Sequence, residues 1–360
     1  MKLSYLCMTG YDGPQPDIDI FPVPPRLCDR QIAHESMNRW LGMTELVDQL
    51  GFDWVSIAEH HYAAYQLTPN PMIMAAAISQ RTKNVRIAML GPLVPLNNPV
   101  RLAEEIAMLD TLTGGRMEVM FLRGTPNEHK TYDTPADKTR GMTLEGIDLI
   151  LKAWQEESPF SWHGENYNFS NIGVWPRVQQ LPHPPVFTSG NSEPSIKFAA
   201  SRRLGIGFSF AQVEDVRHWV ALYRDECAKA GWTPTPQHVV YRGIAYAAES
   251  DAAAVAGVEG HFGRKMKEAE EMAYLAQKTL GGPPQIPLVL SPYFVGGPET
   301  LIDKFNTLRE CGVGVVDMAF VIGTPEQQRQ SVETFAATVM PTVKSWDSTH
   351  FADEVATAAE

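Results

Sequence analysis

The chain has 360 residues, 44% hydrophobic and 20% charged, which is an ordinary globular balance. Its formal net charge is -12 and it holds no Lys/Arg-rich run, so a nucleic-acid partner is disfavoured. The cysteines Cys7, Cys28, Cys227 and Cys311 are scattered and form no CxxC pair, which speaks against a zinc site or a disulfide framework. No apolar run is long enough to span a membrane, residues 1–6 read as a strand rather than a signal peptide, and a reducing cytoplasm is the expected compartment.

In chain order, 3–8 is a first strand, followed by a Pro/Gly-rich loop over 10–29 that is long enough to be functional. Residues 34–50 form an amphipathic helix stopped by Gly51. A short apolar strand, 54–58, then ends abruptly in Glu59-His60-His61. A small-residue helix covers 71–80, a third strand 84–90, a helix 100–112 stopped at Gly114-Gly115, a fourth strand 117–122 and a helix 142–154. Residues 162–169 suggest a hairpin excursion. Strands at 185–189, 206–210, 239–247 and 313–321 alternate with helices at 196–201, 213–230, 298–310 and 327–339. Short apolar strands separated by helices imply a parallel sheet. Eight of them with no composition break between halves predict an α/β fold, a single (β/α)8 TIM barrel over 1–345, with a polar tail over 346–360. The stretch 250–294 is too long for one barrel helix and predicts an insertion or lid between strands seven and eight.

Barrel chemistry sits at the C-terminal ends of strands. Those ends carry Met8, then Glu59, His60 and His61, then Met89, Leu90 and Gly91, then Arg123-Gly124, then Ser189, Gly190, Asn191 and Ser192, and finally Ser209-Phe210. A mostly apolar set with a few polar anchors suits a flat aromatic cofactor. Asn191, Ser192 and Ser195 open a helix, where they act as an ordinary cap or as a phosphate site. Arg123 is placed for a phosphate or a salt bridge. Arg140 opens a helix, where a cation opposes the dipole and hints at an anionic partner. Neighbouring histidines on an extended chain face opposite ways, so His60 and His61 have different jobs. His60 is the expected catalytic member, Glu59 its support, and His61 a packing or capping residue. No GxSxG elbow and no strand-linked GxGxxG occur, so neither a serine hydrolase nor a nicotinamide site is supported.

These strand ends, together with Asn70-Pro71, Asn97-Asn98-Pro99-Val100-Arg101, Leu109-Asp110 to Gly115-Arg116, and Val295-Gly296-Gly297-Pro298-Glu299, resemble the bacterial luciferase-like flavin-dependent monooxygenases over nearly the whole chain. The resemblance implies a barrel that uses FMN as FMNH2, delivered by a separate flavin reductase. Oxygen would add at the flavin C4a carbon, and the C4a-(hydro)peroxide would transfer one atom to a small, largely apolar substrate. Baeyer-Villiger insertion, hydroxylation and epoxidation all remain open. Residue by residue, the family's catalytic histidine falls on His60, its phosphate arginines on Arg123 and Arg140, and its phosphate loop on Asn191, Ser192 and Ser195. Luciferases carry an acidic residue where Asn191 stands. Their non-prolyl cis peptide would fall at about Leu90-Gly91. A homodimer is also implied. A deazaflavin-dependent oxidoreductase and a non-catalytic flavin-binding subunit are the alternatives on the same barrel.

Overall fold

The computed structural model describes residues 1–14, 22–258 and 293–352. Its strands are β1 (Lys2–Leu6), β2 (Trp54–Ile57), β3 (Arg86–Leu93), β4 (Met117–Leu122), β5 (Phe160–His163), β6 (Asn168–Ile172), β7 (Val186–Ser189), β8 (Gly205–Ser209), β9 (Val239–Ala247), β10 (Tyr293–Gly296) and β11 (Val315–Ala319). Its α-helices are α1 (Arg30–Leu50), α2 (Pro71–Arg81), α3 (Pro99–Thr113), α4 (Pro126–Thr131), α5 (Thr139–Gln155), α6 (Glu193–Ser201), α7 (Val213–Lys229), α8 (Asp251–Val258), α9 (Pro298–Glu310), α10 (Pro325–Thr338) and α11 (Met340–Lys344).

Eight parallel strands follow the order β1-β2-β3-β4-β7-β8-β9-β11, and β11 pairs back onto β1, which closes the expected barrel. The antiparallel pair β5 and β6 is the expected excursion. One strand is new. β10 pairs with the C-terminal half of β9, beyond the stretch that β8 occupies. It overlaps the end of the expected insertion at 250–294, whose residues 259–292 lie outside the described residues. Parts of the Pro-rich loop (15–21) and of the tail (353–360) lie outside them too.

Caps set the helix limits. α1 begins four residues before its expected start because Asp29 Oδ1 accepts from the backbone N–H groups of Gln31 and Ile32, at 2.8 and 3.0 Å. It stops at Gly51, whose φ of 84° is left-handed. Asn98 caps α3 in the same way, and Gly114 ends it.

Alternation along the strands sends Trp54, Ala88, Leu90, Met120, Phe187, Val240 and Val315 into the barrel lumen. Gly207 makes room for this filling, since a Cβ there would stand 2.1 Å from Met120 Cε. A buried polar knot lies among these apolar layers. Asp317 on β11 is fully buried. Its Oδ1 accepts from Ser4 Oγ and Ser56 Oγ, both at 2.6 Å, and its Oδ2 accepts from Arg242 Nε at 2.8 Å. One carboxylate thereby ties together β9, β11, β1 and β2, across the seam where the last strand meets the first.

Removing one partner of a buried pair strands the other charge, so Asp317→Ala is expected to destabilise the fold by about 3–5 kcal/mol. Asp148→Ala, which breaks the surface pair with Arg202 (2.8 Å), is expected to cost under about 1 kcal/mol. Chemical denaturation of the two variants checks the contrast; equal losses would contradict it.

Candidate active site at the barrel mouth

The strand ends converge on one mouth, and several turn there through left-handed backbone. Thr9 after β1, Tyr62 after β2 and Phe210 after β8 have φ values of 52°, 61° and 55°. Each costs about 1–2 kcal/mol for a residue with a Cβ, and such strain gathers at functional sites.

Glu59 is buried, and both its oxygens are engaged. Oε2 accepts from the Leu93 N–H at 3.0 Å, which pins the end of β3. Oε1 lies 3.1 Å from His61 Nε2. His61 is buried too, and its Nδ1 lies 3.3 Å from the Tyr132 hydroxyl, just past α4. Burial, with a hydrogen bond to Tyr62, pushes the Tyr132 phenol up to about 12. A carboxylate only accepts, so His61 Nε2 donates to Glu59. Glu59 and His61 are thus buried against each other. Glu59, expected beside His60 as catalytic support, has both oxygens committed elsewhere.

His60 faces another carboxylate, Glu128 on α4. Its Nδ1 lies 3.5 Å from Glu128 Oε1, an ion-pair distance rather than a hydrogen bond. Glu128 is buried, and its other oxygen accepts from the Thr125 N–H at 2.7 Å in a capping box. Burial drives the Glu128 carboxyl up, but His60 and the Thr125 groups outweigh it and hold it below the ordinary carboxylate range. The Tyr65 ring packs edge-on against His60 with centroids 5.5 Å apart. Gly124 lets α4 approach, since a Cβ there would lie 3.2 Å from Leu93 Cδ1 and 3.3 Å from Glu128 Oε2. With Nδ1 turned to Glu128, His60 keeps Nε2 for an apolar pocket of about 250 Å3 that it lines with Val23, Pro24, Leu27, Leu67 and Pro69. Sequence reading missed Glu128. The one available signal was Thr125-x-x-Glu128, a capping-box spacing.

The expected cofactor residues divide. Arg123 follows β4 and Ser189 ends β7, and these strands are neighbours. Arg123 and Arg140 are exposed, and neither makes an ion pair or side-chain hydrogen bond among the described residues. Ser192 opens α6 without a side-chain cap and donates to Ser195 Oγ at 2.9 Å, and Asn191 is exposed beside it. Gly190 is buried, and a Cβ there would meet Phe208 at 2.8 Å. Two unpaired cations, three small polar side chains and an uncapped helix start are groups of the kind that take an anionic phosphate. Leu90 faces the lumen and Met8 is half-buried against the core. Met89, expected at the cofactor, is fully buried on the helix-facing side with Ile87, because alternation along β3 sends Leu90 inward and Met89 outward. The expected cis peptide at Leu90-Gly91 is not found. The cis bonds among the described residues are Trp175-Pro176 and Leu181-Pro182, and β3 instead takes an irregular step between Leu90 and Leu93, with Gly91 at φ 140°.

Among the described residues no helix is long and apolar enough to cross a membrane, and no group of His, Cys, Asp and Glu is placed to hold a metal.

The profile of the family described as luciferase-like monooxygenase matches residues 18–341. The uncharacterised protein y4wF of Sinorhizobium fredii is 33% identical over 45% of this chain and 47% of its own length. The oxygenase component of flavin-dependent trigonelline monooxygenase from Acinetobacter baylyi is 24% identical over 88% of this chain and 92% of its own. The match thus spans about half of the first relative and nearly all of the second. Among solved structures, monooxygenase RslO1 from Streptomyces bottropensis superposes with a TM-score of 0.76 at 24% identity, covering 95% of this chain and 99% of that one. The FMN-bound oxygenating constituent of 3,6-diketocamphane monooxygenase, a Baeyer-Villiger enzyme of Pseudomonas putida, gives 0.73 at 21% identity, covering 95% and 98%. An F420-dependent secondary alcohol dehydrogenase gives 0.68 at 15%, covering 95% and 98%. These likenesses establish the barrel, and the profile match over most of the sequence establishes more: the chain belongs to the luciferase-like monooxygenase family.

Proposed function

We propose that this chain is the oxygenase component of a two-component system. It takes FMNH2 from a separate flavin reductase and, with O2, places one oxygen atom into a small, largely apolar organic molecule. The observation that carries this reading is the pairing of His60 with Glu128 at the lip of an apolar pocket. Bound reduced flavin would supply the two electrons that activate O2, of which one atom goes to the substrate and the other leaves as water. Arg123 and Arg140 hold its phosphate, with Asn191, Ser192 and Ser195 completing the grip. The pocket walls exclude water from the reacting groups. His60 moves a proton at Nε2, and Glu128 orients its ring. The reading includes a cytoplasmic enzyme, in keeping with four free cysteines. It also includes a homodimer, since Ile73 on α2 and Met108 and Leu112 on α3 are exposed on helices that pack together. Light scattering should give twice the chain mass; a monomer at micromolar concentration would remove that part.

A pair of variants separates the roles. Replacing Arg123 and Arg140 together by Ala is expected to weaken FMN about a hundredfold while leaving riboflavin, which lacks the phosphate, unchanged. Equal binding of FMN and riboflavin to the unaltered protein, or preference for a deazaflavin, would sink the FMN assignment. His60→Ala is expected to keep FMN affinity and lower turnover by about 10²–10⁴-fold. Glu128→Gln should lower it about tenfold with KM little changed. Unchanged turnover in His60→Ala would remove the proton-transfer role and favour a non-catalytic subunit.

A further inference from the structure

Arg242 offers more donors than its partner in the lumen takes up. It lies on β9, where alternation turns it into the lumen with Val240. Its Nε donates to Asp317 Oδ2 at 2.8 Å, while Ser4 and Ser56 hold Oδ1. Nη2 is sealed, without a partner among the described residues. Nη1 makes no hydrogen bond among them either, but it is not sealed, and the side chain keeps 11% of its surface open. That surface faces the mouth. On the other side, toward the strand starts, Trp54, Phe187, Val240 and Val315 are at most 3% exposed and close the lumen. Beside Arg242 in register stands Ser209, the last residue of β8. It shares the lumen-facing side with Gly207, which abuts Met120, and it is exposed. The β8–β9 wall is therefore open at its upper end, and a cation lies within reach from the mouth.

We propose that Arg242 and Ser209 bind the carboxylate of a small organic acid that enters through the mouth. An arginine stays charged and only donates, and the Ser209 hydroxyl adds a further O–H. The acid beside them, Asp317, has both oxygens engaged and cannot turn to answer Nη1. Donors without a free acceptor, grouped around a permanent cation, select a ligand with negative charge. A carboxylate is planar and has two acceptor oxygens, one for the guanidinium edge and one for the hydroxyl. A neutral alkane or aldehyde brings no charge to this cation. β8 stands four strands from β2 around the barrel, so an acid held there has its apolar end toward the wall that carries His60. That the acid is the substrate rests on the oxygenase reading; the anion site itself does not.

The test is calorimetric titration of the full-length protein, without flavin, with p-toluate, p-toluamide and p-toluamidine. These planar probes share a shape and are anionic, neutral and cationic. The expected result is that p-toluate binds about tenfold tighter than p-toluamide, with p-toluamidine weakest. A mouth without a reachable cation would favour the neutral amide, which gives up its water at less cost. Ser209→Asp, at an exposed position, sets a carboxylate of the protein's own beside Arg242 and is expected to abolish the preference for p-toluate. The variant with Arg123 and Arg140 both replaced by Ala is expected to keep it. Equal or reversed affinities in the unaltered protein would overturn the inference, as would an undiminished preference in Ser209→Asp. Loss of p-toluate binding in the double variant would also overturn it, by assigning the anion to the flavin phosphate grip. Failure of the unaltered protein to bind FMN, measured on the same samples, would count against the oxygenase reading and leave the acid site standing.

Discussion

The mouth of this barrel is organised around a buried carboxyl group, Glu59, whose two oxygens each have one partner. One oxygen takes the Leu93 N–H and the other takes His61. A carboxyl group out of water must find such donors, and these two come from a neighbouring strand end and from the residue two positions on. The result is a rigid link from β2 to β3, extended through His61 to Tyr132 beyond α4. His60, between the two framework residues, is excluded from that link. It turns to Glu128, which belongs to the same short helix region that Tyr132 closes. His60 thus faces a second carboxylate because the first is committed to the scaffold.

A comparable division runs through the molecule from floor to mouth. In the lumen Asp317 meets Arg242, Ser4 and Ser56, and apolar side chains fill the space around them. At the mouth, Thr9, Tyr62 and Phe210 adopt left-handed backbone. Local strain of this sort persists only where the surroundings over-determine it. The packed interior supplies that rigidity, so the strand ends can present side chains at angles that relaxed backbone would not allow.

Periodicity and strand-end position made much of this legible beforehand. The apolar strands and the caps at Gly51 and Gly114 announce a barrel, and Glu59-His60-His61 stands out because charge follows directly on an apolar run. What stayed hidden depends on contacts distant in sequence. Glu128 lies in a six-residue helix with no hydrophobic period, and only the fold brings it to His60. Asp317 and Arg242 sit in strands whose apolar neighbours mask them. Met89 was placed on the wrong side because the parity of a fully apolar strand leaves no mark in the sequence. The start of α1 was missed because Asp29 follows a Pro-rich stretch that reads as loop. β10 is four residues long, at the end of a segment without a clear pattern.

The proposed reading joins the family, the barrel and the apolar pocket at its mouth. The central claim is that this mouth holds reduced FMN and controls its reaction with oxygen. It is tested most directly by mixing photoreduced FMN and excess protein rapidly with oxygenated buffer, and following hydrogen peroxide release against free reduced FMN. A water-excluding site should delay peroxide by at least about tenfold relative to free flavin. Peroxide appearing at the free-flavin rate would contradict the account.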